Sequence, residues 1–322
     1  MKPKILVVGS MAMDLTVTSE RFVNPGETIF GNGFSSAPGG KGGNQAVQAA
    51  RLGADVTMLG KVGNDDFGVS LVESLKQSGV NTEKILVSQT VSTGVAVIQI
   101  QKNDKGTENK IIVIKGSNNE LSVDDISFLE KDIVNYNMVI LQHEIPQEVN
   151  CKVAEYAKAN GIPVMLNPAP SAIVPKELIS CLTYICPNEH EASDIVGIKP
   201  NTDSSIKQAV ELLHNMGVDN VLITLGKAGC AFSDGNHMIN SPSIDIAPVV
   251  DPTAAGDSFI GAFCTAISSG IPADDALIFA NCTAGITVSR MGAQTSLPTL
   301  DEVLCAMKEK GYNIAGFDTL IK

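Results

Sequence analysis

Met138-Val139-Ile140-Leu141, followed by Glu148–Asn160 and then by Val164-Met165-Leu166-Asn167, is the stretch that decides the fold. The outer runs are short, continuously apolar and bounded by polar or turn residues, as strands buried on both faces are. Between them, apolar residues recur at spacings of three and four, and Gly161 follows the last of them, which predicts an amphipathic helix with a stop. Strand, helix and strand in this order make a parallel β-α-β unit.

The same rhythm extends along the chain. Ile5–Val8, Val56–Leu59, Thr183–Cys186 and Val221–Leu225 read as further strands, and Asn44–Leu52, Phe67–Ser78 and Ser205–Met216 as helices. The fold class is therefore α/β, a three-layer sandwich whose mostly parallel central sheet carries helices on both faces. Two segments break the rhythm. Leu15–Phe34 contains a Pro-Gly turn and alternating residues; Thr93–Ile114 reads as a hairpin in which Gly94–Ile100 and Lys110–Ile114 flank the polar turn Lys102–Asn109. Both are expected as antiparallel strands projecting from the main sheet, a small β-sheet lid over its carboxyl edge. A length of 322 residues fits two lobes or one large domain. With no repeat, low-complexity tract or linker, we expect a single domain over 1–322 with lid segments at about 14–36 and 93–115.

Thirty-five acidic against 23 basic residues give a net charge of −12. That argues against a nucleic-acid partner, which would need a positive footprint, but not against a small anion held locally. The seven cysteines are scattered without CxxC spacing, so neither a disulfide framework nor a zinc site is expected. They read as small buried hydrophobes in a reducing cytoplasm. The four histidines show no paired ligand spacing. The apolar run Ile5–Val8 is too short for a secretory signal, and no run approaches 18 apolar residues, so a cytoplasmic protein with no membrane span is expected.

The strongest chemical signal is Asp251-Pro252-Thr253-Ala254-Ala255-Gly256-Asp257-Ser258, followed by the apolar helix face Phe259, Ile260, Ala262, Phe263, Ala266 and Ile267. The small residues form a turn feeding a helix N-terminus, where free N–H groups and the helix dipole suit an anion. Asp257 in the first turn can be read as a carboxylate complementing the dipole. It can also be read as a base beside an anion hole, the pairing that phosphoryl transfer to an alcohol requires. The second signal is Pro38-Gly39-Gly40-Lys41-Gly42-Gly43-Asn44, opening a helix over Gln45–Leu52. It is neither a P-loop, since Gly42 follows Lys41, nor a GxGxxG dinucleotide fingerprint. It is a tight turn, or a closely approachable backbone whose Lys41 and Asn44 suit sugar hydroxyls.

Together, Pro38–Ala46 and Asp251–Phe259 resemble the two signatures of the PfkB-type carbohydrate kinases, the ribokinase-like family, with matching motifs from Gly9 to Ser296. The resemblance implies a ribokinase-like fold and an ATP-dependent sugar kinase. Its expected reaction carries the γ-phosphoryl of ATP to the terminal primary hydroxyl of a pentose, D-ribose first. It implies Asp257 as catalytic base and Ala254, Ala255 and Gly256 as anion hole. The sugar falls to Asp14, Gly40, Lys41, Asn44, Glu144 and Asp257, with Ala12 beside them. The ATP side falls to Asn188, Thr224, Gly226, Gly229, Gly256 and Asn281, and an NxxE motif for Mg²⁺ and phosphate to Asn188 and Glu191. A K⁺ activator would lie among Asp251, Thr253, Thr287, Arg290, Gly292 and Ser296, mostly on backbone carbonyls. A homodimer through the β lid is implied as well.

Three positions depart from the family pattern: Pro252 and Gly43 replace commoner Thr and Ala, both mild changes, and the third bears on the substrate. The run Gly9-Ser10-Met11-Ala12-Met13-Asp14 has Ala12 where the family usually has Asn. Loss of that amide from a buried site can cost about 1–3 kcal/mol unless water replaces it. The substrate is then ribose with a bridging water, or a sugar lacking that hydroxyl. Relatives acting on 2-deoxyribose also carry an apolar residue there. A nucleoside or hexose derivative as acceptor, and a sugar- or nucleotide-binding sensor that has lost catalysis, are the remaining readings.

Overall fold

The computed structural model describes residues 2–103 and 106–321. Its larger sheet has nine strands. In sequence order they are β1 (Lys4–Val8), β4 (Asp55–Gly63), β5 (Asn81–Ser88), β8 (Met138–Gln142), β9 (Val164–Asn167), β10 (Tyr184–Ile185), β11 (Asn220–Thr224), β12 (Cys230–Ser233) and β13 (Met238–Ser241). In space the order is β13-β12-β11-β10-β9-β8-β1-β4-β5. Pairing is parallel from β5 to β11 and antiparallel only at the β11-β12-β13 edge.

The continuous apolar strands are buried on both faces, as their sequence predicts. Along β1, Ile5 and Val7 join one core cluster and Leu6 and Val8 the other. The first cluster packs under helices Lys41–Arg51, Asp66–Gln77, Ala255–Ser268, Ala273–Thr287 and Leu300–Glu309. The second lies under Gln147–Ala159 and Asp203–Asn215. Helix-sheet-helix is the expected three-layer arrangement. Among the described residues, no helix is long and apolar enough to cross a membrane.

The smaller sheet has the order β3-β2-β6-β7, from β2 (Ala12–Ser19), β3 (Gly33–Gly39), β6 (Gly94–Asn103) and β7 (Gly106–Ile114). Each insertion is antiparallel within itself, β2 with β3 and β6 with β7. The sequence reading did not anticipate that a parallel β2–β6 ladder joins them, from Ala12 opposite Gly94 to Ser19 opposite Gln101. The two insertions thereby become one sheet. Residues 104–105, at the tip of the turn expected over Lys102–Asn109, lie outside the described residues.

Helix Lys41–Arg51 begins three residues before the expected Asn44 start, so Gly42 and Gly43 lie in its first turn. Glycine is a poor helix former, but here packing decides. A Cβ on Gly42 would stand 2.7 Å from the Ser10 nitrogen, so the helix can seat against the β1–β2 connection only without side chains there.

Candidate active site

Strand order reverses between β1 and β8: the chain runs outward from β1 through β4 and β5, then returns to β8 on the other side. In open α/β sheets ligands bind beyond the carboxyl ends of strands at such a switch point. Gly9–Met11 leave the end of β1 and His143-Glu144 the end of β8. The Glu144 carboxylate accepts hydrogen bonds from the Ser10 hydroxyl and from the Lys41 N–H, the latter at 3.2 Å. One carboxylate thus ties the β1 turn, the β8 turn and the Lys41 helix together. Asp14 on β2 lies against Gly39 at the end of β3, so the root of the small sheet meets the same place. Gly40 holds φ 85, and a Cβ there would stand 2.7 Å from the Ala12 nitrogen; both conformation and space demand glycine.

Asp257 enters from the opposite side of the cleft. It is the third residue of helix Ala255–Ser268, whose N-cap, Ala254, is the one non-glycine with positive φ (61) recorded among the described residues. A left-handed alanine costs about 1–2 kcal/mol; it precedes first-turn N–H groups that have no intrahelical acceptors, of which the Ala255 N–H donates to the Pro252 carbonyl at 3.3 Å. Asp257 is only 7% exposed. Its Oδ2 accepts from Asn44 Nδ2 at 2.9 Å and its Oδ1 from Gln45 Nε2 at 2.9 Å. A cavity of about 210 Å³ opens beside it, lined by Lys41, Asn188, Glu191, Thr224, Ala254, Ala255 and Gly256 among others.

Charge is crowded at this cleft. Burial, then the carboxylates of Glu144, Asp257 and Asp251, push Asp14 up to about 6 against the opposing pull of Lys41. Burial alone would lower the Lys41 ammonium, but Asp257, Glu144, Glu191 and Asp14 outweigh it and hold it above its ordinary value. Lys41 is the cation that lets several acids share one cleft.

On the other side of the cavity, Asn188 caps helix Glu189–Val196. Its side-chain oxygen accepts from the His190 and Glu191 N–H groups, and the Glu191 carboxylate accepts from the Asn188 N–H and side-chain amide, each at 2.8 Å. Burial raises the Glu191 pKa against the Asn188 N–H and the Lys41 charge. Asn188 also bridges Thr224 at the end of β11, which brings the Thr224–Gly229 turn to the same edge. Asn281 stands apart from the cavity lining. It is buried, and its amide donates to Ser241 Oγ at 2.9 Å.

Of the residues expected around a monovalent cation, Asp251 joins Thr253 and Gly292. Asp251 Oδ1 accepts from the Thr253 N–H and Oδ2 from the Gly292 N–H, both at 2.9 Å, so this carboxylate braces two loops. Thr287 and Ser296 turn their hydroxyls onto the carbonyls of Thr283 and Ala293, and Arg290 pairs with Glu302 at 2.6 Å. Among the described residues no group of three or more His, Cys, Asp or Glu is arranged to hold a metal.

Gln45 bonds to Asp257 and Ser10 to Glu144, with Gln142 and Asn167 bonded to Gln45 behind them; all four were absent from the expected set. A signal for the first existed: Asn44, Gln45 and Gln48 stand at spacings of three and four on a helix otherwise apolar toward the core. Buried amides there require partners. Gln142 and Asn167 end otherwise apolar strands, and no local pattern distinguishes them.

Residues 2–300 match the pfkB family carbohydrate kinases. A ribokinase of Bacillus subtilis is 40% identical over 299 residues, covering 93% of this chain and 97% of the relative. A deoxyribokinase of Salmonella typhi is 32% identical over 299 residues, covering 92% and 96%. The structure of Arabidopsis thaliana ribokinase complexed with ribose and ATP superposes with a TM-score of 0.89 at 35% identity, covering 96% of this chain and 99% of that one. Two signatures that the fold brings to one cleft, within a ribokinase-like sandwich and a family match spanning nearly the whole sequence, make this chain a member of the pfkB family of carbohydrate kinases.

Proposed function

We propose that this kinase transfers the γ-phosphoryl of ATP to the terminal primary hydroxyl of a pentose, converting D-ribose to D-ribose 5-phosphate. The observation that carries the reading is the placement of the Asp257 carboxylate. It is oriented by Asn44 at 2.9 Å, beside a cavity floored by the N-terminal turn Ala254-Ala255-Gly256. Curated relatives and the ribose- and ATP-bound structural neighbour point to the same reaction.

The sugar lies between Asp14, Gly40, Lys41, Asn44 and Glu144, with Ala12 against its ring and its terminal hydroxyl at Asp257. Asp257 accepts the hydroxyl proton as the sugar oxygen attacks the γ-phosphorus and the bond to the β,γ-bridging oxygen breaks, releasing ADP. The N–H groups of Gly256, of the turn at Ala254, and of Ala255 once it leaves the Pro252 carbonyl it meets at 3.3 Å, stabilise the charge on the transferring group, and Lys41 adds its cation. The triphosphate runs along Asn188, Thr224, Gly226 and Gly229. Asn281, its amide held by Ser241, supports the wall on the adenine side.

Asn188 and Glu191 are the residues to hold Mg²⁺, directly or through water, since a carboxylate keeps lone pairs beyond those Asn188 uses. When bound, Mg²⁺ neutralises charge on the β- and γ-phosphates. K⁺ fits the carbonyl-rich loop of Asp251, Thr253, Thr287, Arg290, Gly292 and Ser296, where it would add positive charge beside the anion hole. The chain works as one domain, with the small sheet closing over the sugar as a lid and excluding water. It pairs with a second copy through that sheet, and its location is cytoplasmic.

The test is ADP release with Mg²⁺ and K⁺ across ribose, 2-deoxyribose, fructose and adenosine. Turnover with ribose is expected, and none with any pentose would overturn the reading. Ala12 and the deoxyribokinase relative support 2-deoxyribose as a second acceptor, which the same assay ranks.

A further inference from the structure

Gln45 contacts the proposed base directly, and its place in a buried chain of amides fixes which way it points. Its nitrogen has two hydrogens, and both are used: one reaches Asp257 Oδ1 at 2.9 Å and the other Asn167 Oδ1 at 3.2 Å. Its oxygen accepts from Gln142 Nε2 at 2.7 Å. Beyond these, Asn167 donates its own amide to the Cys186 carbonyl at 3.1 Å, and Asn150 donates to the Gln142 carbonyl at 2.7 Å. Gln45, Gln142 and Asn150 are completely buried.

The chain has one direction only. An ionised carboxylate accepts and cannot donate, so the Gln45 nitrogen must face Asp257. A flipped Gln45 would set its oxygen against the carboxylate and its nitrogen against the Gln142 donor. Gln142 packs against the β1 turn, where a Cβ on Gly9 would overlap its amide oxygen. Among the described residues that oxygen accepts no hydrogen bond, so the only bond the Gln142 side chain makes is the one to Gln45. The carboxylate is therefore gripped on both oxygens, by Asn44 from the expected sugar-binding set and by Gln45 from the core.

We propose that Gln45 is the positioning residue of the base and that Gln142 acts through it by locking its orientation. This rests on the reading of Asp257 as base. With Asn44 on Oδ2 alone the carboxylate can swing out of line, and displacement of a reacting group by about 1 Å can cost up to about a hundredfold in rate. Asn44 keeps an Oδ1 with no partner among the described residues, so it can serve the sugar while its nitrogen shares the orienting role with Gln45.

The experiment measures kcat, the KM for ribose and the melting temperature of purified Gln45→Met, Gln45→Glu, Gln142→Met and the Gln45→Met/Gln142→Met pair, beside Asp257→Asn. Gln45→Met should lower kcat about 10- to 100-fold while the ribose KM moves by less than about threefold. Gln45→Glu, which sets a second acid against Asp257, should be slower still. Gln142→Met should give a smaller loss in kcat alone and no further loss when Gln45 is already Met, because its effect passes through Gln45. A kcat for Gln45→Met within twofold of wild type, with Asp257→Asn inactive, overturns the positioning role alone. An active Asp257→Asn overturns the base reading beneath it. Should Gln45→Met fail to fold, Gln142→Met decides: an unchanged kcat, or kcat and KM altered in proportion, overturns the proposal.

Discussion

Asn44 and Asp257 stand 213 positions apart in the chain, yet the Asn44 amide nitrogen lies 2.9 Å from Asp257 Oδ2. One residue comes from the first turn of a helix beginning at Lys41 and the other from the first turn of a helix beginning at Ala255. The two helix N-termini meet over the sheet edge, so the amide proposed to hold the sugar and the carboxylate proposed to deprotonate it share one hydrogen bond. Asp257→Asn keeps the shape and one of the two donated bonds but removes the base. We expect kcat to fall by about 10²–10⁴, with ribose and ATP affinities within a few fold of wild type. Pre-steady-state ADP formation and titration calorimetry check this together, and a near-normal rate would falsify the assignment of Asp257.

With Asp14 as a proposed sugar ligand, its pKa, pushed up to about 6 by burial and by the neighbouring acids, should make sugar binding pH-dependent. Ionised, it offers only acceptors to the sugar hydroxyls; protonated, it loses part of that capacity. The ribose KM should rise as pH falls through about 6, and Asp14→Asn should bind ribose weakly without that limb. Stability runs the other way. An acid whose folded pKa lies above its unfolded value of 3.8 destabilises the fold progressively as pH rises between the two, and fully above 6. Asp14→Asn should therefore raise the melting temperature more at pH 8 than at pH 5. An equal change at both pH values would contradict this.

Ala12 begins β2, opposite Gly39 on one side and Gly94 on the other, and is 8% exposed at the cleft. Ala12→Asn restores an amide at the site. If it reaches the sugar ring, kcat/KM for ribose relative to 2-deoxyribose should rise by about ten- to a hundredfold, the worth of one buried hydrogen bond. An unchanged ratio would mean that water already fills the role.

Gly40→Ala tests the close approach of the helix to the β1–β2 connection. The residue would take an unfavourable φ of 85 and place its Cβ 2.7 Å from the Ala12 nitrogen. We expect a loss of about 2–4 kcal/mol, combining backbone strain and forced displacement, and a raised ribose KM because Ala12 and Lys41 move apart. Chemical denaturation and steady-state kinetics should change together.

The layered fold could be read from Ile5–Val8, Met138–Leu141, Val164–Asn167 and Val221–Leu225 because each is buried on both faces and carries at most one polar residue, Asn167 or Thr224, at its carboxyl end. β5 reads Asn81-Thr82-Glu83-Lys84 before it turns apolar, since an edge strand meets water. Helix Ala273–Thr287 has small or apolar residues on nearly every side, which leaves no stripe for periodicity to find. At the site, Asp257 and Lys41 stood out because turn chemistry and charge mark them locally. The helix pattern marks Gln45 as a buried amide but names no partner until Asp257, 212 positions away, meets it, and Gln142 acquires meaning only from Gln45, 97 positions away. The parallel β2–β6 ladder is hidden for the same reason: each insertion shows its own hairpin, but nothing in either one names the other.

β7 is an edge strand of the small sheet, and Ile111, Ile112, Val113 and Ile114 along it are each more than half exposed. Successive residues face opposite sides, so both faces of this edge are apolar, and Phe34 on β3 adds 70% exposure at the other edge. An unpaired apolar edge of this kind invites a partner strand or sheet, which is the physical basis of the proposed homodimer. Burial of Ile112 in that contact makes Ile112→Lys a selective probe, since the residue lies outside the cleft and packs on no core cluster. Sedimentation velocity at micromolar concentration should show a dimer for the wild type and a monomer for Ile112→Lys, with little change in the melting temperature of the α/β core. The same substitution should raise the ribose KM by a few fold, because β2, which carries Ala12 and Asp14, loses a neighbour bracing its sheet. A wild-type monomer at that concentration would remove the lid as the dimer contact and leave its apolar edge to another partner.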